Sequence, residues 1–117
     1  NTHEAYYYRG VVLERFRKHE QALEQYTAAW GKAPENAQYL IAAAETMIEL
    51  DDLDGANALV MSAMDRFEHN AGLRQTLGHV ALMQGRTGDA ITNFSEACLL
   101  APDDQSLAED LARAQFD

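Results

Sequence analysis

The side chains best suited to chemistry are few: four histidines (His3, His19, His69 and His79) and one cysteine, Cys98, in 117 residues. Each fails a specific requirement. "HEQAL", starting at His19, opens like the His-Glu pair of a zinc-binding helix. That motif needs a second histidine four residues after the first, and Leu23 stands there. A closed zinc site built on cysteine pairs is also excluded, because only one cysteine is present. A cysteine nucleophile needs a base beside it, and Cys98 with a histidine distant in sequence is too little for that role. It reads instead as a small buried packing residue. Gly85 and Gly88 in "QGRTGD" make no phosphate loop and suit a turn between helices. The expectation is a chain without catalysis, metal or cofactor.

The remaining composition points to surfaces. The net charge is −10, with 47% hydrophobic and 24% charged residues. A phosphate backbone needs a basic stripe to release its counterions, so nucleic acid is not an expected partner. No run approaches the ~18 apolar residues of a membrane span. The acidity favours a neutral or basic protein partner and also serves solubility. A lone cysteine leaves the compartment open. The length fits one domain, residues 1–117. The chain begins at Asn1 and not at a methionine, and it reads as a piece of a longer protein.

What would position any binding residues is a repeat. Ala22, Ala56 and Ala90 are each 34 residues apart, as are Tyr26, Val60 and Phe94, and Ala29, Ala63 and Ala97. Gly10, Ala44 and Gly78 keep the same period with very small residues, and Asn36, Asn70 and Asp104 keep it with good N-cap residues. Pro34 and Pro102 lie two periods apart, with Glu68 between them. The units run over about 3–36, 37–70 and 71–104, followed by a tail over 105–117. Within each unit the apolar spacing is helical. In the third, Leu73, Leu77, Val80 and Ala81 form one face, and Ala90, Ile91, Phe94 and Ala97 another. Gly85 is expected to stop one helix, Thr87 to cap the next, and Pro102 to end it. Nothing reads as a strand. The small residues suit close helix crossings, with Tyr26, Val60 and Phe94 filling the space beside them. Trp30, Met64 and Cys98 recur at the same period and read as the contact to the next unit.

This pattern resembles the tetratricopeptide repeat (TPR) over essentially the whole chain. Repeat 1 supplies Tyr6, Gly10, Leu13, Ala22, Tyr26, Ala29 and Pro34; repeat 2 supplies Leu40, Ala43, Ala44, Met47, Ala56, Val60 and Ala63; repeat 3 supplies Leu77, Gly78, Ala90, Phe94, Ala97 and Pro102. Arg9, Arg74 and Glu68 depart from the pattern. The resemblance implies an all-α fold, an α-solenoid or right-handed superhelix of three antiparallel helix-turn-helix hairpins. The tail would be a C-terminal capping helix. Leu107, Leu111 and Ala112 would face inward, and Asp103, Glu109, Asp110 and Arg113 would keep the outer face wet.

The resemblance also implies a concave groove lined by the first helix of each repeat. Carried over, its residues are Glu4, Tyr7, Val11 and Glu14; Gln38, Ile41, Glu45 and Ile48; and Gln75, His79 and Leu82. Of the three tyrosines Tyr6 to Tyr8, only Tyr7 falls on that side. The set combines apolar residues with glutamates, which suits a peptide or protein segment with apolar anchors and basic residues. Some members of the family grip a chaperone's C-terminal carboxylate with Lys, Asn and Arg. The matching positions here are Tyr7, Val11, Ala42, Gly72 and Thr76. None is basic and none is Asn, so a clamp of that kind is not expected. Two expectations follow. One is a non-catalytic protein-interaction scaffold. The other is a structural module that stacks through its open N-terminal end, as a homodimer or on further repeats.

Overall fold

The computed structural model describes residues 2–116. These form seven α-helices: α1 (Thr2–Arg15), α2 (His19–Lys32), α3 (Ala37–Glu49), α4 (Leu53–Ala63), α5 (Ala71–Met83), α6 (Thr87–Leu100) and α7 (Gln105–Phe116). No strand occurs among the described residues. The chain forms two compact units, Asn1–Leu59 and Val60–Asp117. In the first, α1 packs on α2 and α2 on α3; in the second, α5 packs on α6 and α6 on α7.

The helix starts follow from short polar side chains one period apart. Asn36 accepts a hydrogen bond from the Gln38 amide at 3.0 Å, and Asn70 accepts one from the Leu73 amide at 3.2 Å. Asp104 accepts from the Ser106 amide at 3.0 Å. Each satisfies an amide that the first helical turn leaves unpaired. At α6 the expectation fails. The capping position is Arg86, which makes no side-chain cap bond, and Thr87 is already helical. The equivalent residue before α2 is Lys18, also without a cap bond. Before α4 it is Asp52, whose short carboxylate does accept the Gly55 amide at 3.0 Å.

The turns inside the hairpins share one geometry. Arg17, Asp51 and Gly85 stand 34 residues apart, and all have positive φ, at 59°, 64° and 78°. In each turn the next residue's amide reaches back five positions: Lys18 to Leu13 O, Asp52 to Met47 O and Arg86 to Ala81 O, at 2.8 to 2.9 Å. This is a Schellman ending, which satisfies the last carbonyls of the first helix. Only Gly85 is legible in the sequence as such a stop; Arg17 and Asp51 adopt the left-handed conformation at a steric cost that glycine avoids. The prolines work as expected. Ala33 and Ala101, which precede them, leave helical geometry and end α2 and α6. α4 has no such proline and ends at Ala63, with Arg66 and Phe67 continuing in tight turns.

The core of the first unit gathers Ala22, Tyr26 and Ala43, flanked by Val11, Leu13, Leu23 and Leu59. A second cluster joins Ala29, Ala33 and Tyr39, with Tyr6 and Trp30 packed against it, so Trp30 belongs to the group through which α2 and α3 meet. The second unit packs Ala81, Ala90, Phe94 and Ala114, with Leu82, Ile91 and Leu111 against them. Here α7 differs from expectation. Leu107 is buried and Leu111 half-buried, but Ala112 is exposed and Ala114 is inside. Asp110, expected on the wet face, is only 8% exposed. The inward positions are 107, 110, 111 and 114, one continuous helical stripe. Cys98 is half-buried, not fully buried.

Candidate functional site

In the first unit, α1 and α3 bring eight of the eleven expected groove residues onto two neighbouring helices. Tyr7, Val11, Ile41, Glu45 and Ile48 are half-buried, and Glu4 and Gln38 are exposed. The Tyr7 ring lies 5.2 Å from that of Tyr39 and 5.7 Å from that of Tyr26, and the Gln38 amide nitrogen donates to its hydroxyl at 3.2 Å. Val11 and Ala42 both pack against the cluster of Ala22, Tyr26 and Ala43. Tyr8, by contrast, is exposed, and Tyr6 turns into the packing around Ala29 and Tyr39.

Glu14 has a structural partner. The Tyr26 hydroxyl donates to its Oε1 at 2.8 Å. Thr46, whose hydroxyl donates to Ala42 O at 2.8 Å, lies 3.4 Å from its Oε2. Tyr26 is 2% exposed, so its hydroxyl requires a buried acceptor. Ionising that phenol would place a second negative charge beside Glu14. Its pKa is therefore raised above 10.0, first by burial, then by the hydrogen bond to Glu14 and by that carboxylate's charge. A folded-state pKa above the unfolded one gives stability that is complete below the unfolded value and is lost as pH rises through the folded one. Tyr26→Phe should cost about 0.5–1.5 kcal/mol at neutral pH and flatten the loss of stability above about pH 10. Urea denaturation over a pH series reads both; an unchanged alkaline limb would contradict the assignment.

In the second unit, Gln75, His79 and Leu82 lie on α5, all half-buried. Two of them are tied to α7. Gln75 Nε2 donates to Asp110 Oδ2 at 2.8 Å and to Ser106 Oγ at 3.1 Å. His79 Nε2 lies 3.0 Å from the same Asp110 oxygen, and its ring packs edge-to-face with that of Phe94, the centroids 5.6 Å apart. Arg113 donates to Asp110 Oδ1 at 3.1 Å. Leu82 packs on the Phe94 cluster.

The two units use the same slots with different chemistry. Glu14 and Tyr26 precede Leu82 and Phe94 by 68 residues, and Val11 and Ala42 precede His79 and Asp110 by the same distance. A carboxylate serves the phenol in one unit, and a leucine serves the phenyl ring in the other. An apolar pair in the first becomes an ionisable pair in the second.

No family model matches the sequence, and comparison with curated proteins also finds no match. Solved structures do match. The Arabidopsis OM64 TPR domain superimposes with a TM-score of 0.85 at 21% identity, covering 97% of this chain and 94% of that one. The Aspergillus fumigatus Sgt2 TPR domain gives 0.87 at 15%, covering 97% and 76%. The first TPR of Spaghetti (RPAP3) bound to the HSP90 peptide SRMEEVD gives 0.84 at 14%, covering 97% and 90%. The fold is that of a tetratricopeptide-repeat domain.

The expected groove residues all lie on α1, α3 and α5. Sequence reasoning missed Asp110, Ser106, Tyr39 and Thr46. Tyr39 is buried, with His3 Nδ1 2.8 Å from its hydroxyl, a hydrogen bond whose direction follows the imidazole tautomer. Its period equivalents are Leu73 and Leu107, so a tyrosine there signals a polar partner nearby. At the clamp-equivalent positions, Tyr7 and Val11 are packed, and the buried Thr76 donates its hydroxyl to Gly72 O at 3.0 Å. Among the described residues, no group of three or more His, Cys, Asp or Glu is placed to hold a metal ion, and no helix is long and apolar enough to cross a membrane.

Proposed function

We propose that this chain is a non-catalytic interaction module that binds an extended or helical segment of a partner protein along the first helices of its repeats. The observation that carries this reading is the surface of α1 and α3. There Val11, Ile41 and Ile48 stay half-exposed beside Glu4, Glu45 and Gln38. Half-exposed aliphatic residues bordered by carboxylates suit apolar anchors with adjacent Lys or Arg. In the second unit, Gln75, His79 and Leu82 on α5 are the corresponding candidates, and a partner reaching Gln75 or His79 shares them with Asp110. The chain is read as one domain of three repeats and a capping helix.

The ligand differs from the one in the Spaghetti (RPAP3) complex. A peptide ending in EEVD presents several carboxylates, and the clamp-equivalent positions offer no cation to receive them.

The test is selection from a random peptide library against the wild type and an Ile41→Asp variant, both confirmed helical by circular dichroism. Peptides with apolar and basic residues should be enriched, and Ile41→Asp should weaken them about tenfold or more. Glu45→Lys should do likewise without touching an aliphatic residue. SRMEEVD should not compete. Equal binding by wild type and both variants would refute the groove assignment.

A further inference from the structure

A different side of α1 is exposed as well. Ala5, Tyr8, Arg9, Val12 and Leu13, with Gln25 of α2, line a shallow depression. Tyr8 is 64% exposed, Val12 47% and Phe16 70%. Their spacing of four residues makes one apolar stripe along the helix. By helical phase, Arg9 and Arg15 flank it on opposite edges. Residues 1–18 hold four of the nine Lys and Arg but two of the nineteen Asp and Glu. Arg74, Arg86 and Arg113 each pair with a carboxylate. Among the described residues, Arg9, Arg15, Arg17 and Lys18 form no ion pair.

The repeat explains what this stripe is shaped for. Ala5, Tyr8, Arg9 and Val12 precede Tyr39, Ala42, Ala43 and Thr46 by one period, and Leu107, Asp110, Leu111 and Ala114 by three. α3 uses those residues to sit on α2: Tyr39 against Ala29 and Ala33, Ala43 against Ala22 and Tyr26. α7 uses Leu111 and Ala114 to sit on Ala90 and Phe94 of α6. α1 therefore exposes the face with which its two counterparts seat themselves on the second helix of a hairpin.

We propose that this face docks an amphipathic α-helix of a partner protein, with an alanine-and-aromatic seam like those of α2 and α6 and with carboxylates on its flanks. Arg9, whose guanidinium lies over the Tyr6 ring at 5.5 Å, and Arg15, neither in an ion pair among the described residues, supply the charge complement. A second copy of the chain is a poor occupant. Its own helices with such a seam are not free: α2 and α6 are covered by α3 and α7, and the equivalent residues of α4, Ala56, Val60 and Ala63, are fully buried; two chains of charge −10 also repel. The proposal stands apart from the groove reading, because Tyr7, Val11 and Glu14 lie on another side of α1.

The probe is a fluorescein-labelled synthetic peptide with the sequence of residues 87–101, which carries Ala90, Phe94 and Ala97 with Asp89 and Glu96. It should bind the wild-type chain saturably and more weakly as salt is raised. Val12→Glu, and separately Arg9→Glu with Arg15→Glu, should weaken it about tenfold or more, while Ile41→Asp leaves it unchanged. These positions are exposed or half-exposed, and circular dichroism confirms that each variant is folded. A peptide with Asp89→Lys and Glu96→Lys should lose binding. No binding by the wild type, or equal binding by Val12→Glu, would overturn the proposal. So would a dimer in sedimentation that Val12→Glu dissolves, which would make a second copy the occupant.

Discussion

Gly78→Ala is expected to destabilise the second unit by about 1–3 kcal/mol, the cost of overpacking a tight site. The sign is the informative part. In an exposed helix interior, exchanging glycine for alanine stabilises by roughly 1 kcal/mol, because glycine loses more backbone freedom on folding. Here a Cβ would stand 2.6 Å from Phe94 Cδ1 and 2.8 Å from Phe94 Cζ. Phe94 is fully buried in its cluster, so the ring has nowhere to retreat without disturbing Ala81, Ala90 and Ala114. Gly10 meets the same situation, with a Cβ 2.7 Å from Tyr26 Cδ1; the Tyr26 ring is held by its bond to Glu14. In the sequence, both aromatic residues occur with glycine, while the middle copy has Ala44 and Val60 at these two positions. Shrinking the ring should therefore rescue the clash: Gly78→Ala with Phe94→Leu should cost less than the sum of the two changes. Urea denaturation of the four proteins closes the cycle. A Gly78→Ala variant as stable as wild type, or strictly additive costs, would show that the backbones at this crossing can separate freely.

That coupling is legible in the amino-acid sequence, because a 34-residue period exposes paired changes even within one chain. Small residues, aromatic residues, N-caps and prolines each recur at a fixed offset, and each marks a local demand on the backbone. Arg17 and Asp51 recur at the offset of Gly85, but their side chains disguise a backbone conformation that glycine advertises. The phase of α7 is harder to read. Leu107 and Leu111 set the inward stripe, and Asp110 lies within it. Judged by polarity alone, an aspartate belongs outside; judged by its neighbours, it belongs where Gln75 and His79 can reach it. The groove residues show the same limit. Position on α1 or α5 is set by the repeat, but engagement of Glu14 by Tyr26, or of His79 by Asp110, depends on which side chains the fold brings opposite each other. A period cannot report that until both partners are placed.

Asp110→Ala is expected to loosen α7 by about 1–3 kcal/mol, the cost of stranding buried polar groups. The carboxylate accepts from Gln75 and Arg113 and is bonded to His79, so three side chains lose a common partner. Gln75 and His79 are half-exposed and can recover some hydration, which places the effect toward the lower end. The effect should also be local. Without the carboxylate, α7 rests on apolar contacts such as those of Leu111 and Ala114. Amide hydrogen exchange should then accelerate in residues 105–116 more than in α5 or α6. Asp110→Asn keeps the shape and one acceptor, and should lie between wild type and Asp110→Ala. The first unit supplies the rescue. At the equivalent places it holds Val11 and Ala42, an apolar pair that needs no hydrogen bond. His79→Val combined with Asp110→Ala should therefore be more stable than Asp110→Ala alone, since a polar pair removed together leaves less unsatisfied than one removed by halves. If the double variant is instead the least stable of the set, Gln75 and Arg113 hold the carboxylate's main energetic role, and the His79 contact merely follows from proximity.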